Sequence, residues 1–257
     1  MTEDQWAIAP RATDAAITPA PTGAVQTPTG RPAFEVAGHG SRSTYDRELA
    51  EIKDNVLRMG SMVEDAIRAA ISALVAHDAE AALQVILDDR RINEIQRKVT
   101  AMIAATIATQ QPVARDLRYL LTLDHVAYEL ERMGDHAGSV AKQARKLAAF
   151  PPLQGHVELP ELGERVADLV GGIIRALVDV DEHQARAVAK QDDDVDALYH
   201  HNFDEVLRLM RGDSANVEPG TRILFASHYL ERIGDRVTNI AEDIVFLASG
   251  EVEDLNQ

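Results

Sequence analysis

The sequence contains no cysteine, which excludes disulfide bonds, thiolate metal sites and cysteine nucleophiles. Any metal must therefore be held by oxygen or imidazole ligands. Aromatic residues make up only 4% of the chain, whereas 46% of it is hydrophobic. A composition of this kind favours helices that pack closely through small side chains. We predict an all-α fold.

Positive charge is also scarce, because 26 Lys and Arg residues stand against 42 Asp and Glu residues and give a formal net charge of −16. This balance argues against a nucleic-acid partner and favours cations or basic protein surfaces. No stretch approaches the roughly 18 consecutive apolar residues of a membrane span. An amino terminus with Glu3 and Asp4 but no apolar run does not match a signal peptide. We expect a cytoplasmic protein with no membrane span and no nucleic-acid partner.

The most informative feature is a duplication. The pentapeptide Glu-Arg-Met-Gly-Asp at 131–135 returns as Glu-Arg-Ile-Gly-Asp at 231–235, a spacing of 100 residues. Upstream, at a spacing of 103, two polar residues of the first copy match two of the second: Asp89 and Asn93 correspond to Asp192 and Asp196. Such a long period does not fit a solenoid repeat and indicates a duplicated subdomain.

Residues 1–43 form a segment rich in Pro, Thr and Ala that shows neither helical nor strand periodicity. Its apolar residues are scattered singly, so burial would not offset the entropic cost of ordering the segment. We predict a disordered tail. Trp6 is either a docking element within this tail or an unstructured residue like its neighbours.

From Thr44 onward, apolar residues recur at steps of three and four, which is typical of amphipathic helices. We predict helices from 44 to 77, from an N-cap at Asp78 to 108, and on to about 150 after a break at Gln111 and Pro112. A second trio is predicted at about 160–180, 181–211 and 219–249. Short connections make neighbouring helices antiparallel. The prediction is two tandem three-helix bundles, 44–150 and 160–250, related by a pseudo-twofold axis.

The four-residue step within each pentapeptide places two carboxylates one turn apart on one helical face. These are Glu131 and Asp135 in the first copy, and Glu231 and Asp235 in the second. A single acidic pair is most often a solvated face. Here each pair is matched by a second pair on another helix, Asp192 with Asp196 and Asp89 with Asn93, and this favours metal binding.

Two carboxylate pairs on antiparallel helices can bracket two cations, because bridging oxygens screen the repulsion between them. Oxygen ligands are suited to Mg²⁺, Mn²⁺, Ca²⁺ or iron. We expect divalent or iron cations, with Mg, Mn, Fe and Zn as the candidates.

Three further carboxylates fall on or near the same helical directions and are candidate ligands: Asp116, Asp124 and Glu242. Asp116 is either a ligand or a charge in the first turn of its helix, where acidic groups are favoured. Glu242 is either a ligand or a surface carboxylate near the end of its helix.

Two histidines lie on the acidic stripes of the second copy. His200 follows Asp196 by four residues and is either a ligand or an exposed side chain. His228 precedes Glu231 by three residues but corresponds to Tyr128 in the first copy, which argues against a ligand role shared by both copies.

The arginine and the glycine of each pentapeptide are expected to support the carboxylates. We expect Arg132 and Arg232 to orient nearby carboxylates. Gly134 and Gly234 should let another helix or a ligand approach closely.

The two Leu-Glu-Arg-Met/Ile-Gly-Asp segments, with Gln-Pro-Val-Ala-Arg-Asp-Leu-Arg at 111–118 before the first, resemble the PhoU family of phosphate-uptake regulators. The resemblance covers about Tyr45 to Gly250. The tail before Thr44 is not part of the usual pattern.

The resemblance implies two three-helix bundles and a regulator that acts negatively on the phosphate ABC transporter, through its ATPase subunit, and on a phosphate sensor histidine kinase. It implies no enzyme activity and no catalytic residue. It also implies metal clusters held by Glu/Asp-x-x-x-Asp motifs, which here fall on Glu131/Asp135 and Glu231/Asp235. We further expect a homodimer that lies at the inner face of the membrane through its partners. Because Asn93 departs from a full acidic pair, the second site is predicted to be the stronger.

Two other classes of function stay open. A helical-bundle dinuclear metalloenzyme is disfavoured because such bundles use Glu-x-x-His, which no predicted helix contains. A metal-free structural adaptor would instead pair its acidic faces with arginines from other helices.

Overall fold

The computed structural model describes residues 39–153 and 157–255, and every regular element in this part of the chain is helical. The seven α-helices are α1 (His39–Val75), α2 (Ala79–Gln110), α3 (Arg115–Leu147), α4 (Leu159–Asp179), α5 (Glu182–Lys190), α6 (Asp192–Gly212) and α7 (Val217–Ser249). The predicted all-α fold of two tandem helical bundles is confirmed, with α1–α3 in the first bundle and α4–α7 in the second. Within the described ranges, no helix is long and apolar enough to cross a membrane.

Matching aspartates begin the second helix of each bundle. Asp78 accepts hydrogen bonds from the backbone N–H groups of Glu80 and Ala81, both at 3.0 Å. Asp181, 103 residues later, accepts from His183 at 2.9 Å and Gln184 at 3.0 Å. Each carboxylate satisfies backbone donors that a helix leaves free at its first turn. The duplication therefore preserves the capping chemistry.

Two helix boundaries differ from the sequence-based prediction. Helix α1 begins at His39 rather than at Thr44, and the single helix predicted over 181–211 is divided at Gln191 into α5 and α6. Three consecutive aspartates, 192–194, form the first turn of α6, where the positive end of the helix dipole stabilises acidic groups. The interruption places Asp192, a candidate ligand, at the start of a helix. The predicted tail lies almost entirely outside the described residues, and Trp6 with it.

Helices α3 and α7 are antiparallel neighbours and join the two bundles. The contacts run in opposite directions along the two helices: Arg118 with Phe246, His125 with Asp243, Glu129 with Arg236, and His136 with Tyr229. Residues 100 positions apart are equivalent in the two copies, so Glu129 corresponds to Tyr229 and Arg236 corresponds to His136. The Glu129–Arg236 and Tyr229–His136 contacts therefore join equivalent positions, and both lie in the α3–α7 interface. This is expected for a pseudo-twofold axis between α3 and α7.

Close helix packing also joins α1 to α4. A Cβ atom at Gly163 would lie 2.5 Å from Cγ1 of Ile71, so only glycine fits this crossing. Arg68 of α1 reaches across to Glu164 and Asp168 of α4, at 3.1 and 3.0 Å. The folded part of the chain forms one compact unit, consistent with a core built from small and aliphatic side chains.

Candidate metal centres

In the second bundle, the carboxylate of Asp192 on α6 lies directly against the backbone of α7. A Cβ atom at Gly234 would collide with its Oδ1 atom. The other oxygen, Oδ2, accepts a hydrogen bond from the hydroxyl of Thr238 at 3.4 Å. The glycine inside the duplicated pentapeptide therefore makes the space that this carboxylate occupies.

Four carboxylates of this bundle influence one another across the α6–α7 contact. Burial, together with the charges of Asp196 and Asp235, raises the pKa of Asp192 to about 7. Burial and Asp235 also raise the pKa of Asp196 and of Glu231. Like charges in a partly buried site disfavour the ionised forms. A cation would remove this repulsion.

The raised pKa of Asp192 predicts a pH-dependent stability in the metal-free protein. An aspartate in the unfolded chain has a pKa of about 3.9, so between about pH 4 and pH 7 the folded state holds a proton that the unfolded state has lost. Stability should therefore fall as the pH rises through this range and level off above about pH 7. Urea unfolding in chelator at pH 5 and pH 8 measures the effect. Asp192→Asn should reduce the difference, and an equal difference in the variant would contradict the assignment.

The first bundle repeats the arrangement between α2 and α3. A Cβ atom at Gly134 would lie 3.3 Å from Oδ1 of Asp89, a looser version of the contact at Gly234. Burial and the charge of Asp135 raise the pKa of Asp89, and the same two causes raise the pKa of Glu131. A cavity of about 250 Å³ borders Asp89 and Gly134, which gives water and ions access to this carboxylate.

Several oxygens of the two centres are buried without any hydrogen-bond partner: Oδ1 of Asp89, Oδ1 of Asn93, Oδ1 of Asp192 and Oε2 of Glu231. Buried acceptors are normally satisfied, because leaving one unpaired costs free energy. All four are oxygen atoms of the kind that hard cations bind. The residues present therefore fit a metal in each bundle.

Within 39–153 and 157–255, no three carboxylate or imidazole groups surround one position that could hold an ion. Binding of an ion at either centre would therefore require side chains to rotate, and Asp196 is exposed to solvent.

The predicted orienting role of the arginines has a structural counterpart in both centres. Arg132 donates to Oδ2 of Asp135 at 3.3 Å, and Nη1 of Arg232 lies 3.7 Å from Oδ2 of Asp235. Each arginine lies three residues before the aspartate that it contacts, so the pentapeptide contains both partners of the ion pair.

Three predicted ligands are placed elsewhere. Asp124 accepts a hydrogen bond from Thr100 at 2.7 Å, Glu242 accepts from the backbone of Leu255 at 2.9 Å, and Asp116 is exposed at the start of α3. They lie on or near the same side of their helices as the acidic pairs. A helix rises about 1.5 Å per residue, however, so residues far apart in the sequence are also far apart along the helix axis. Separations of seven to 15 residues in the sequence correspond to about 10–22 Å along the axis.

The sequence reasoning missed two groups. Thr238 was not singled out, although it follows Asp235 by three residues on the same face. The buried Glu129 was also missed, and its Oε2 accepts from Nη1 of Arg236 at 2.7 Å. The only signal for that pair was a carboxylate at an otherwise apolar position of α3.

Comparison with known proteins identifies relatives along almost the whole folded part. The PhoU domain model matches residues 56–144 and 159–244. The phosphate-specific transport system accessory protein PhoU homolog of Clostridium acetobutylicum is 37% identical over 217 residues, covering 84% of this chain and 99% of the relative. The homolog of Streptococcus pneumoniae is 30% identical over 215 residues, covering 84% and 100%. These relatives are named as transport accessory proteins, not as enzymes.

Two solved structures are similar to this fold. The crystal structure of PhoU from Pseudomonas aeruginosa superposes with a TM-score of 0.77 at 32% identity, over 80% of this chain and 100% of that one. The phosphate transport system regulatory protein PhoU from Streptococcus pneumoniae gives a TM-score of 0.74 at 29% identity, over 82% and 99%.

Proposed function

From the premise that this chain belongs to the PhoU family, we propose that it is a metal-binding negative regulator of phosphate uptake. Its relatives are named as accessory proteins of the phosphate-specific transport system. The observation that carries the metal-binding part is the pair of matched sites, each with buried carboxylate oxygens that have no hydrogen-bond partner.

Each bundle would hold its cations between two helices. Asp89, Asn93, Glu131 and Asp135 would bind in the first bundle, and Asp192, Asp196, Glu231 and Asp235 in the second. A bound cation supplies positive charge that neutralises these carboxylates. The ligands would then tie α2 to α3 and α6 to α7, because each set comes from both helices of its pair. Metal binding would thus fix the relative positions of the helices that form the acidic faces.

This fixed surface would dock on the ATPase subunit of the phosphate ABC transporter and on the phosphate sensor histidine kinase, and so signal phosphate sufficiency. The strongly acidic chain favours basic surfaces on such partners. In this proposal the protein works in the cytoplasm as a homodimer, reaches the inner face of the membrane through its partners, and contributes no catalytic residue.

Association with the purified ATPase subunit tests the regulatory part. Binding should require Mn²⁺ or Zn²⁺, fall in excess chelator, and weaken at least about tenfold in Glu231→Gln/Asp235→Asn, because changing even the residues that orient metal ligands commonly costs about 10–100-fold in metal affinity or activity. A matched control is Asp54→Asn/Asp204→Asn, which removes two exposed carboxylates elsewhere and should bind normally. No association under any phosphate or metal condition would contradict the proposal.

The metal-free adaptor is the second candidate. Arg132 and Arg232 pair with Asp135 and Asp235 of their own helices rather than across helices, and they neutralise part of each acidic face without a metal. A metal-free adaptor predicts that a chelated protein keeps both its stability and its association with the ATPase subunit. The same binding experiment therefore separates the two functions.

A further inference from the structure

A continuous row of aromatic and imidazole rings crosses three helices and joins the two bundles. We call it the ring strip. It runs from Phe203 and Tyr199 on α6, through His228 and Tyr229 on α7, to His136 on α3. Successive ring centres in this order are 6.3, 6.3, 6.1 and 6.0 Å apart. Only 4% of the chain is aromatic, so three aromatic side chains in one row are a marked local concentration.

The α6 end of the ring strip is open to solvent. Phe203 is 37% exposed, and the side chain of His228 is 47% exposed. Apolar and aromatic side chains that are exposed together, rather than singly, mark binding surfaces. Tyrosine and arginine in particular are enriched where proteins bind one another and contribute much of the binding energy. The ring strip therefore has the composition of a docking surface.

Carboxylates surround the ring strip and determine which partner suits it. His228 lies 3.2 Å from Glu231, measured from Nδ1 to Oε2. Helix α6 contributes further exposed carboxylates on either side of its two rings: Asp193, Asp196 and Asp204. The chain as a whole has a formal net charge of −16. This charge opposes nucleic acids and anionic membranes and favours a basic protein segment.

The first bundle shows how a basic side chain can sit on such a surface. The guanidinium of Arg132 lies over the ring of Tyr128, 5.2 Å from its centre, and Nη1 lies 3.3 Å from Oδ2 of Asp135. One arginine thus stacks on a tyrosine and pairs with a carboxylate at the same time. In the part of the chain that the structure describes, no lysine or arginine covers Tyr199 or Tyr229 in this way.

We propose that the ring strip is the docking surface for a basic segment of a partner protein, whose arginine side chains stack on Tyr199 and Phe203 and pair with the carboxylates of α6. The arrangement repeats between two proteins what Arg132 does within this one. Arginine suits the role better than lysine, because its guanidinium is planar, weakly hydrated and able to stack on a ring. The inference rests on the regulatory part of the proposed function and does not require a metal.

The test variant is Tyr199→Gln/Phe203→Thr, which exchanges both rings for the residues at the equivalent positions of α2, Gln96 and Thr100. The charge of the surface is unchanged, so a difference in binding reports the rings. Calorimetry would use the full-length chain with the purified ATPase subunit and with a synthetic amphipathic peptide of leucine and arginine. Both should bind the wild type and bind the variant about tenfold or more weakly, as expected when aromatic interface residues are removed.

Two further variants keep the test independent of folding. Phe203→Thr alone changes an exposed side chain, should fold normally and should weaken binding of both probes by about threefold or more. Val75→Thr/Val178→Thr is the matched control, because it alters two exposed apolar side chains on α1 and α4, outside the ring strip, and should bind as the wild type does.

A peptide with lysine in place of arginine should bind the wild type more weakly, and equal binding of the two peptides would overturn the stacking of arginine. If the wild type binds the ATPase subunit and both ring variants bind it as tightly, the inference is wrong and the proposed function stands. If the wild type binds the arginine peptide through the ring strip but never the ATPase subunit, the docking surface stands and the proposed function is contradicted.

Discussion

Replacing Glu129 with alanine is expected to destabilise the folded chain by about 3–5 kcal/mol, because it removes one partner of a buried ion pair. Nη1 of Arg236 lies 2.7 Å from Oε2 of Glu129, and the two side chains are only 17% and 5% exposed. The guanidinium would remain in the α3–α7 interface without its carboxylate. Urea unfolding measures the loss, and Asp54→Asn is a surface control that should change stability by less than about 0.5 kcal/mol.

The pseudo-twofold axis supplies a rescue variant. In the observed Tyr229–His136 contact, the ring centres are 6.0 Å apart. Glu129→Tyr with Arg236→His would place the same two residue types at the equivalent positions of the other contact. We expect the double variant to recover more than half of the stability lost in Glu129→Ala, because no charge is left unpaired. A double variant as unstable as the single one would contradict the equivalence of the two contacts.

Gly234→Ala is expected to weaken cation binding at the second centre by about tenfold or more, because changing even the residues that orient metal ligands commonly costs about 10–100-fold in affinity. The new Cβ atom would collide with Oδ1 of Asp192 and force that carboxylate away from α7. Calorimetry with Zn²⁺ on the full-length protein measures the loss, while binding to the first centre should remain.

Gly138→Ala is the matched control for this prediction, since nothing lies within 4 Å of a Cβ atom at that position of α3. It should leave metal binding unchanged and raise stability by up to about 1 kcal/mol, because alanine is the better helix former. If Gly234→Ala binds metal as the wild type does, Asp192 is not a ligand in the second centre.

Much of this fold could be predicted because the duplication and the helical periodicity point to the same architecture. Asp78, predicted as an N-cap, has that role, and its copy Asp181 caps α5. The break at Gln191 could not be predicted, since it interrupts a continuous helical pattern for a single residue. The three aspartates that follow Gln191 favour the first turn of a helix, but this preference is weaker than the helical periodicity that runs through the segment.

The sequence could predict only those parts of the candidate sites whose residues lie within one or two helical turns of each other. Glu231 and Asp235 lie on one face in any helix, and Gly234 stands between them. The Glu129–Arg236 pair joins residues 107 positions apart, and no local pattern places them together. Conversely, Asp124 shares the direction of Glu131 but is two turns away along the axis.

The central claim, that the duplicated acidic faces hold metal ions, is tested most directly by counting ions per chain. Full-length protein would be dialysed against Mn²⁺ and Zn²⁺ and its metal content measured by elemental analysis, beside Glu131→Ala/Asp135→Ala and Glu231→Ala/Asp235→Ala. We expect each double variant to lose the ions of its own bundle and keep those of the other. Unchanged metal content in both variants would contradict the account.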